Sequence, residues 1–264
     1  MNAPSAALPA PRVTPNARHA FGGIFRLTLR RFLTTGHLLA VAGSLALVGL
    51  LAFGNGRRDT YLDWIVGFYV TLLVPIVAFI TAAGALRDDM KSTSVDYLLT
   101  RPVRRPAFIL FKYFSHVACS QCDFLLALVV VLVVGHQRGV PGVLAAAPLL
   151  LFAQVLVIVA FSALGFFAAA LTTRYTLLGL GYGAIVEVGI GQIPTQLNKL
   201  SMTAQVKAML GSLNPGADPT AIALAAGADP SVVGTTSVLL ALAAVMVALA
   251  AAVFSLRELS SATD

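Results

Sequence analysis

The run "HVACSQCD" carries the side chains best suited to chemistry: His116, Cys119, Cys122 and Asp123. His116, Cys119 and Asp123 stand at i, i+3 and i+7, which places them on one face of a helix, with Cys122 off to the side. Imidazole and thiolate together suit a soft ion such as Cu(I), and an imidazole near a carboxylate suits a proton path. A lone C-x-x-C with no second pair is the weak form of a metal motif. Small cysteines packed inside an apolar helix account for the pattern as well, and no metal is assigned. The other isolated acid is Glu187, in a glycine-rich apolar stretch. No nucleophile has a base beside it: Ser162 in "FSALG" lacks the glycine flanks of a nucleophile elbow, and its segment holds no histidine. An enzyme in its own right is not expected.

The elements that must position these residues are set by composition. Of 264 residues, 58% are hydrophobic and 11% charged, against about 45–50% and about 25% in soluble domains. The mean hydropathy is +0.87. Apolar runs of bilayer-spanning length recur along the chain, so an all-α, polytopic membrane protein is expected. The net charge of +7 then reflects the basic bias of cytoplasmic loops, and nucleic acid is not an expected partner. The two cysteines lie in one apolar run, which gives no disulfide framework.

Six runs of spanning length are expected, at about 37–54, 61–86, 113–135, 147–172, 175–193 and 232–256. Pro75 falls inside the second, where neighbouring helices can satisfy the freed carbonyl. The fifth is glycine-rich and carries Glu187. An even count puts both termini on one side. With that side cytoplasmic, thirteen of the eighteen Lys and Arg residues fall inside. Only Arg57, Arg58, Arg138, Lys199 and Lys207 fall outside, as the positive-inside rule requires.

Residues 1–18 lack the apolar core of a cleavable leader and read as a disordered cytoplasmic tail. Residues 19–36 place Phe21, Ile24, Phe25, Thr28 and Phe32 near helical spacing, with Arg26, Arg30 and Arg31 between them. This is the pattern of an interfacial amphipathic helix, apolar side in lipid and arginines among headgroups. Residues 37–264 form a single six-helix domain, with no internal repeat and no soluble domain. Residues 194–231, broken by "NPG" and "ADP" turn signals, form a small external cap.

The segment 87–112, "RDDMKSTSVDYLLTRPVRRPAFILFK", has a defined local shape. From Asp88 to Leu99 the acids Asp88, Asp89 and Asp96 alternate with Met90, Val95, Leu98 and Leu99 as a short amphipathic helix. Pro102 ends it, and Pro106 sits in the first turn of the next helix, which enters the membrane at Lys112. A rigid surface of mixed charge fits docking to a soluble protein better than positive-inside bias alone.

This loop resembles that of ABC-2 type transporter permeases, the membrane subunits of one class of ATP-binding-cassette exporter. Their loop has an acidic pair, Gly-Thr-Leu-Glu, Leu-Leu, Pro-Val-x-Arg and a lysine opening the third span. Here Asp88 and Asp89 stand for the pair, "TSVDYLL" follows with Asp96 for the glutamate, and "RPVRR" supplies Pro102, Val103 and Arg105 before Lys112. Thr93 for glycine and Ser94 for threonine are departures. Glu187 and Ser201 match a glutamate in the family's fifth span and a Leu-Ser after a short external helix.

The resemblance implies a coupling helix between spans two and three that seats in a groove of a cytoplasmic ATPase. Asp88, Asp89, Asp96, Arg101, Arg104 and Arg105 would carry the coupling, and Leu98 and Leu99 would pack that helix on the N-terminal one. The chain has no G-x-x-x-x-G-K-[ST] run, so ATP and Mg would be bound by a separate subunit. Two ATPases, a second permease copy and a bacterial inner membrane with both termini cytoplasmic complete the implied assembly. Gly179, Gly183, Glu187 and Gly191 recur every four residues, a small-residue stripe that lets helices approach closely. It is read as a substrate path or permease–permease interface, or as packing within one subunit. Both Asp123 and Glu187 must face the bundle interior, pair or be protonated, because a bare charge in the bilayer costs at least about 2.5–3.5 kcal/mol.

Overall fold

Backbone that cannot hydrogen-bond to lipid must close its bonds locally. In the computed structural model every regular element is helical, and no strand occurs among the residues it describes, 17–54, 57–90, 104–189, 200–213 and 232–256. The helices are α1 (Ala17–Phe32), α2 (Thr35–Gly54), α3 (Tyr61–Asp89), α4 (Arg105–Gln137), α5 (Ala147–Leu171), α6 (Tyr175–Tyr182), α7 (Met202–Leu210) and α8 (Val232–Leu256).

Five of them, α2, α3, α4, α5 and α8, are long and apolar enough to cross a membrane. The sixth expected crossing, 175–193, is described only as far as Gly189. There α6 continues as a π-helical stretch, Gly183–Gly189. From Tyr175 to Gly189 the rod is about 22 Å long at 1.5 Å per residue, short of the ~30 Å hydrocarbon core. Its glycines weaken helix propensity and leave little side-chain area to bury, and no residue of α6 is buried. The described structure therefore supports five crossing helices plus this short rod.

The first elements also differ from expectation. The segment 19–36 is not one helix: α1 ends at Phe32 and α2 begins at Thr35, with Thr34 Oγ1 accepting from His37 N at 3.4 Å. The apolar stripe of α1, expected in lipid, packs against α4 instead. Thr28 is buried, the Phe21 and Phe111 rings lie 5.6 Å apart, and Phe32 faces His116 at 5.8 Å. The reason is the length of α4, whose 33 residues extend about 50 Å and so outrun the hydrocarbon core. Arg26 and Arg30 stay on the exposed side of α1.

Within α3, Ile65–Leu73 is π-helical and ends two residues before Pro75. Proline lacks the N–H that would close the preceding turn, and the widened ladder upstream accommodates the gap. The tyrosines of this stretch tie α3 to its neighbours: Tyr61 OH donates to Val131 O at 2.8 Å, and Tyr69 OH lies 2.9 Å from both Phe124 O and the Gln154 side-chain amide.

Helix α5 runs through the centre, packed on α3 and α8, with Ala153, Ala160, Ala163 and Ala168 fully buried. Small residues allow this approach where no hydrophobic drive separates helix from lipid. At Gly165 an added Cβ would sit 2.6 Å from Phe79 O and 3.1 Å from Ala82 Cβ. Gly165→Ala is therefore expected to destabilise the solubilised chain by about 1–3 kcal/mol, the usual range for overpacking. A thermal-melt series in detergent checks this, with Gly84→Ala, which meets open space, as the control.

Candidate functional site

The charged loop leaves the membrane domain at the end of α3 and returns at the start of α4, and its two feet are joined by one carboxylate. Asp89 Oδ2 lies 2.8 Å from Lys112 Nζ, and Asp89 Oδ1 lies 2.6 Å from Arg31 Nη1. Asp89 is on the last turn of α3, Lys112 is two turns into α4 and Arg31 ends α1, so one acid pins three helices. Its surroundings are unequal. The Lys112 and Asp89 side chains are 4% and 12% exposed, and that of Arg31 is 48% exposed. The Asp89–Lys112 pair thus has little solvent screening, while the Arg31 arm is a surface contact.

Adjacent carboxylates have opposite fates here because neighbouring helical residues point about 100° apart. Asp88 is exposed and Asp89 is buried. On the returning strand of the loop, Arg104 and Arg105 are both exposed. Arg104 is extended (φ −62°, ψ 133°) and accepts from Phe108 N at 3.0 Å. The helix starts at Arg105 with Pro106 in its first turn, as the sequence indicates. Asp96, Leu98, Leu99, Arg101 and Pro102, and with them the expected coupling helix, lie outside the described residues.

Of the "HVACSQCD" group, the structure brings few members together. His116 is buried, with its Nε2 3.2 Å from Ser120 Oγ. Cys119 is also buried, whereas Cys122 is exposed. Asp123 turns to α2, where its Oδ2 lies 2.9 Å from His37 Nε2. No group of three or more His, Cys, Asp or Glu able to hold a metal occurs among the described residues. Asp123 thus meets the demand for a partner through a histidine in the first turn of another helix.

Glu187 meets the same demand differently. Its carboxylate accepts from Met202 N at 3.1 Å, Thr203 N at 3.1 Å, Ser201 Oγ at 2.7 Å and Thr203 Oγ1. These donors are the start of α7, which Ser201 also caps by accepting from Ala204 N at 3.1 Å. A carboxylate facing free N–H groups at a helix N-terminus is stabilised both by hydrogen bonds and by the helix dipole. Glu187 ties the π-helical end of the rod to the start of α7, and Tyr182 OH adds a bond to Leu200 O at 3.3 Å just before it.

The glycine stripe divides. At Gly179 a Cβ would overlap the Phe79 ring, so this glycine serves packing of α6 on α3, whereas at Gly183 a Cβ would meet open space. Gly191 lies outside the described residues. The open space is a cavity of about 370 Å³ between α3 and the α6 rod, lined by Phe79, Phe161, Leu164, Gly183, Glu187 and Lys207 among others.

Three of these residues carried no weight in the sequence: Arg31 and His37 as partners of Asp89 and Asp123, and Lys207 at the cavity. The one usable signal was the need of each membrane carboxylate for a partner, which does not say which cation supplies it.

Long apolar helices around a buried α5, with ionisable groups paired inside or gathered at the feet of one loop, define a multi-pass helical membrane protein. Residues 26–259 match the ABC-2 family transporter protein, and the chain belongs to that family. It is a membrane component of a transporter rather than a catalyst. No curated protein matches it.

Proposed function

We propose that this chain is the permease subunit of an ATP-driven exporter in a bacterial plasma membrane, with both termini cytoplasmic. Two copies pair with two separate ATPase subunits, which bind ATP and Mg. The loop 87–112 seats on the ATPase through Asp88, Asp96, Arg101, Arg104 and Arg105. Closure of the ATPase pair pushes the loop, and the bundle alternates between inward- and outward-open states.

The observation that carries this reading is the Asp89 clasp. Because Asp89 holds Lys112 and Arg31, a force on either foot of the loop reaches α1, α3 and α4 as one block. Membership of the ABC-2 family supports the rest.

The test is a pull-down of tagged chain from its native membrane in mild detergent. A stoichiometric protein with a nucleotide-binding motif is expected to co-elute. With Arg104→Glu and Arg105→Glu together, recovery of that partner is expected to fall by at least about tenfold, the size of a lost interfacial charge contact. The melting temperature is expected to hold, since both side chains are exposed. Absence of any such partner would instead favour a secondary carrier or a membrane scaffold.

A further inference from the structure

The cavity beside α6 has the shape of a chain and the charge of a headgroup site. It follows one face of α3 from Gly67 to Ile80, with α6 as the opposite wall and Phe161 and Leu164 of α5 as the floor. The fourteen helical residues from Gly67 to Ile80 give a groove about 20 Å long, longer than the ~15 Å of hydrocarbon in one leaflet. Along this length the lining is apolar apart from Thr71 and Thr176, with Leu72, Ile76 and Phe79 on the α3 side.

The polar lining at the α7 end is spent within the chain. Thr71 Oγ1 donates to Gly67 O at 2.9 Å, Tyr182 OH donates to Leu200 O at 3.3 Å, and Thr203 donates to Glu187. The negative charge of Glu187 is itself answered by the first turn of α7. Lys207 is different. It is exposed, has no hydrogen bond or ion pair among the described residues, and lines both this groove and an adjoining cavity of about 290 Å³ next to Asp63. An apolar slot of acyl-chain length with one unspent ammonium at its end is complementary to an amphiphile of opposite charge.

We propose that the groove between α3 and α6 binds one acyl chain of an anionic amphiphile, its phosphate or carboxylate head at Lys207. Treating this occupant as the transported cargo rests on the exporter reading above, whereas its binding does not.

The probe is palmitoyl lysophosphatidate, titrated onto the detergent-purified full chain and followed by native mass spectrometry, with palmitoyl lysophosphatidylcholine and hexadecylamine in parallel. Saturable binding of the lysophosphatidate is expected, tighter than that of either comparator. Lys207→Gln is expected to weaken it about fivefold, the worth of one lysine near a charged lipid surface, and to leave the lysophosphatidylcholine unchanged. Gly183→Leu fills the open space in the groove and is expected to abolish binding. Gly181→Leu, on the same rod with equally open space but off the groove lining, is expected to bind as the unaltered chain does. If Gly183→Leu fails to fold, Gly67→Leu, which also projects into open space in the groove, takes its place.

Tighter binding of hexadecylamine would overturn the anionic class, and an absence of saturable binding would overturn the site. Loss of self-association in Gly183→Leu with amphiphile binding intact would assign the groove to a second copy of the chain. Since no ATPase is present in the assay, its outcome is independent of the pull-down.

Discussion

Asp89→Ala is expected to lower the stability of the solubilised chain by about 3–5 kcal/mol, because it strands a buried lysine ammonium without a counter-charge. Lys112 is 4% exposed at its side chain and has Asp89 at 2.8 Å. Asp89→Asn is expected to fall almost as far, since an amide oxygen can accept from the ammonium but carries no charge. Removing the other arm has a different size. The Arg31 side chain is 48% exposed, so Arg31→Ala is expected to cost at most about 1 kcal/mol.

The double variant Asp89→Leu with Lys112→Met separates stability from coupling. Replacing a buried pair by apolar residues of similar volume is often neutral, so its melting temperature is expected to return close to that of the unaltered chain. On the exporter reading proposed above, ATP-driven transport is expected to be low in this variant as in Asp89→Ala, because Arg31 has lost its tie to α3. Thermal melts and a transport assay on the same four variants check both statements. Full transport in the stable double variant would show that the clasp supports the fold alone.

Glu187→Ala is expected to release α7, at a cost of about 3 kcal/mol or more. The variant leaves the N–H groups of Met202 and Thr203 without their acceptor, and each charge-assisted bond is worth about 1.5–3 kcal/mol. Glu187→Gln keeps one oxygen for one of those N–H groups but removes the charge facing the helix N-terminus, so about half the loss is expected. Hydrogen exchange is the measurement of choice. Protection over Met202–Leu210 is expected to fall in the order unaltered chain, Gln, Ala, while the amides of α5 keep theirs. Equal loss across α5 would mean that Glu187 supports the whole bundle. Because α7 carries Lys207, its release also removes the ammonium from the mouth of the groove.

The limits of sequence reading follow from the range over which each interaction acts. The crossings α2, α3, α4, α5 and α8 were legible as apolar runs because a bilayer demands about 20 residues whose backbone bonds close within the run itself. Both conditions are local, and so is the start of α4 at Arg105, set by Pro106. The rod from Tyr175 to Gly189 was the weak place for the same reason. Its glycines remove the area and propensity that make an apolar run a sure span, and its position is held by Phe79 and Glu187 rather than by its own composition. The break between α1 and α2 was legible as the change from an arginine-bearing amphipathic stretch to a purely apolar run, and the structure moves it from 36/37 to Leu33–Thr34.

The ionisable residues divide along the same line. Composition alone required that Asp123 and Glu187 find partners, since an unpaired charge is costly in a membrane, whereas Asp89 read as a loop residue and its burial between Arg31 and Lys112 came only with the fold. Which partner each takes depends on which helices meet. Asp89 reaches Arg31 and Lys112 because α1 lies along α4, Asp123 reaches His37 because α2 does, and Glu187 reaches the N-terminus of α7 because the rod ends there. The burial of one member of the Asp88–Asp89 pair and the groove ending at Lys207 are likewise products of packing. Residues 58 positions apart in Asp89–Arg31 and 86 apart in His37–Asp123 carry no periodic trace of their contact, so only the assembled bundle brings those charges together.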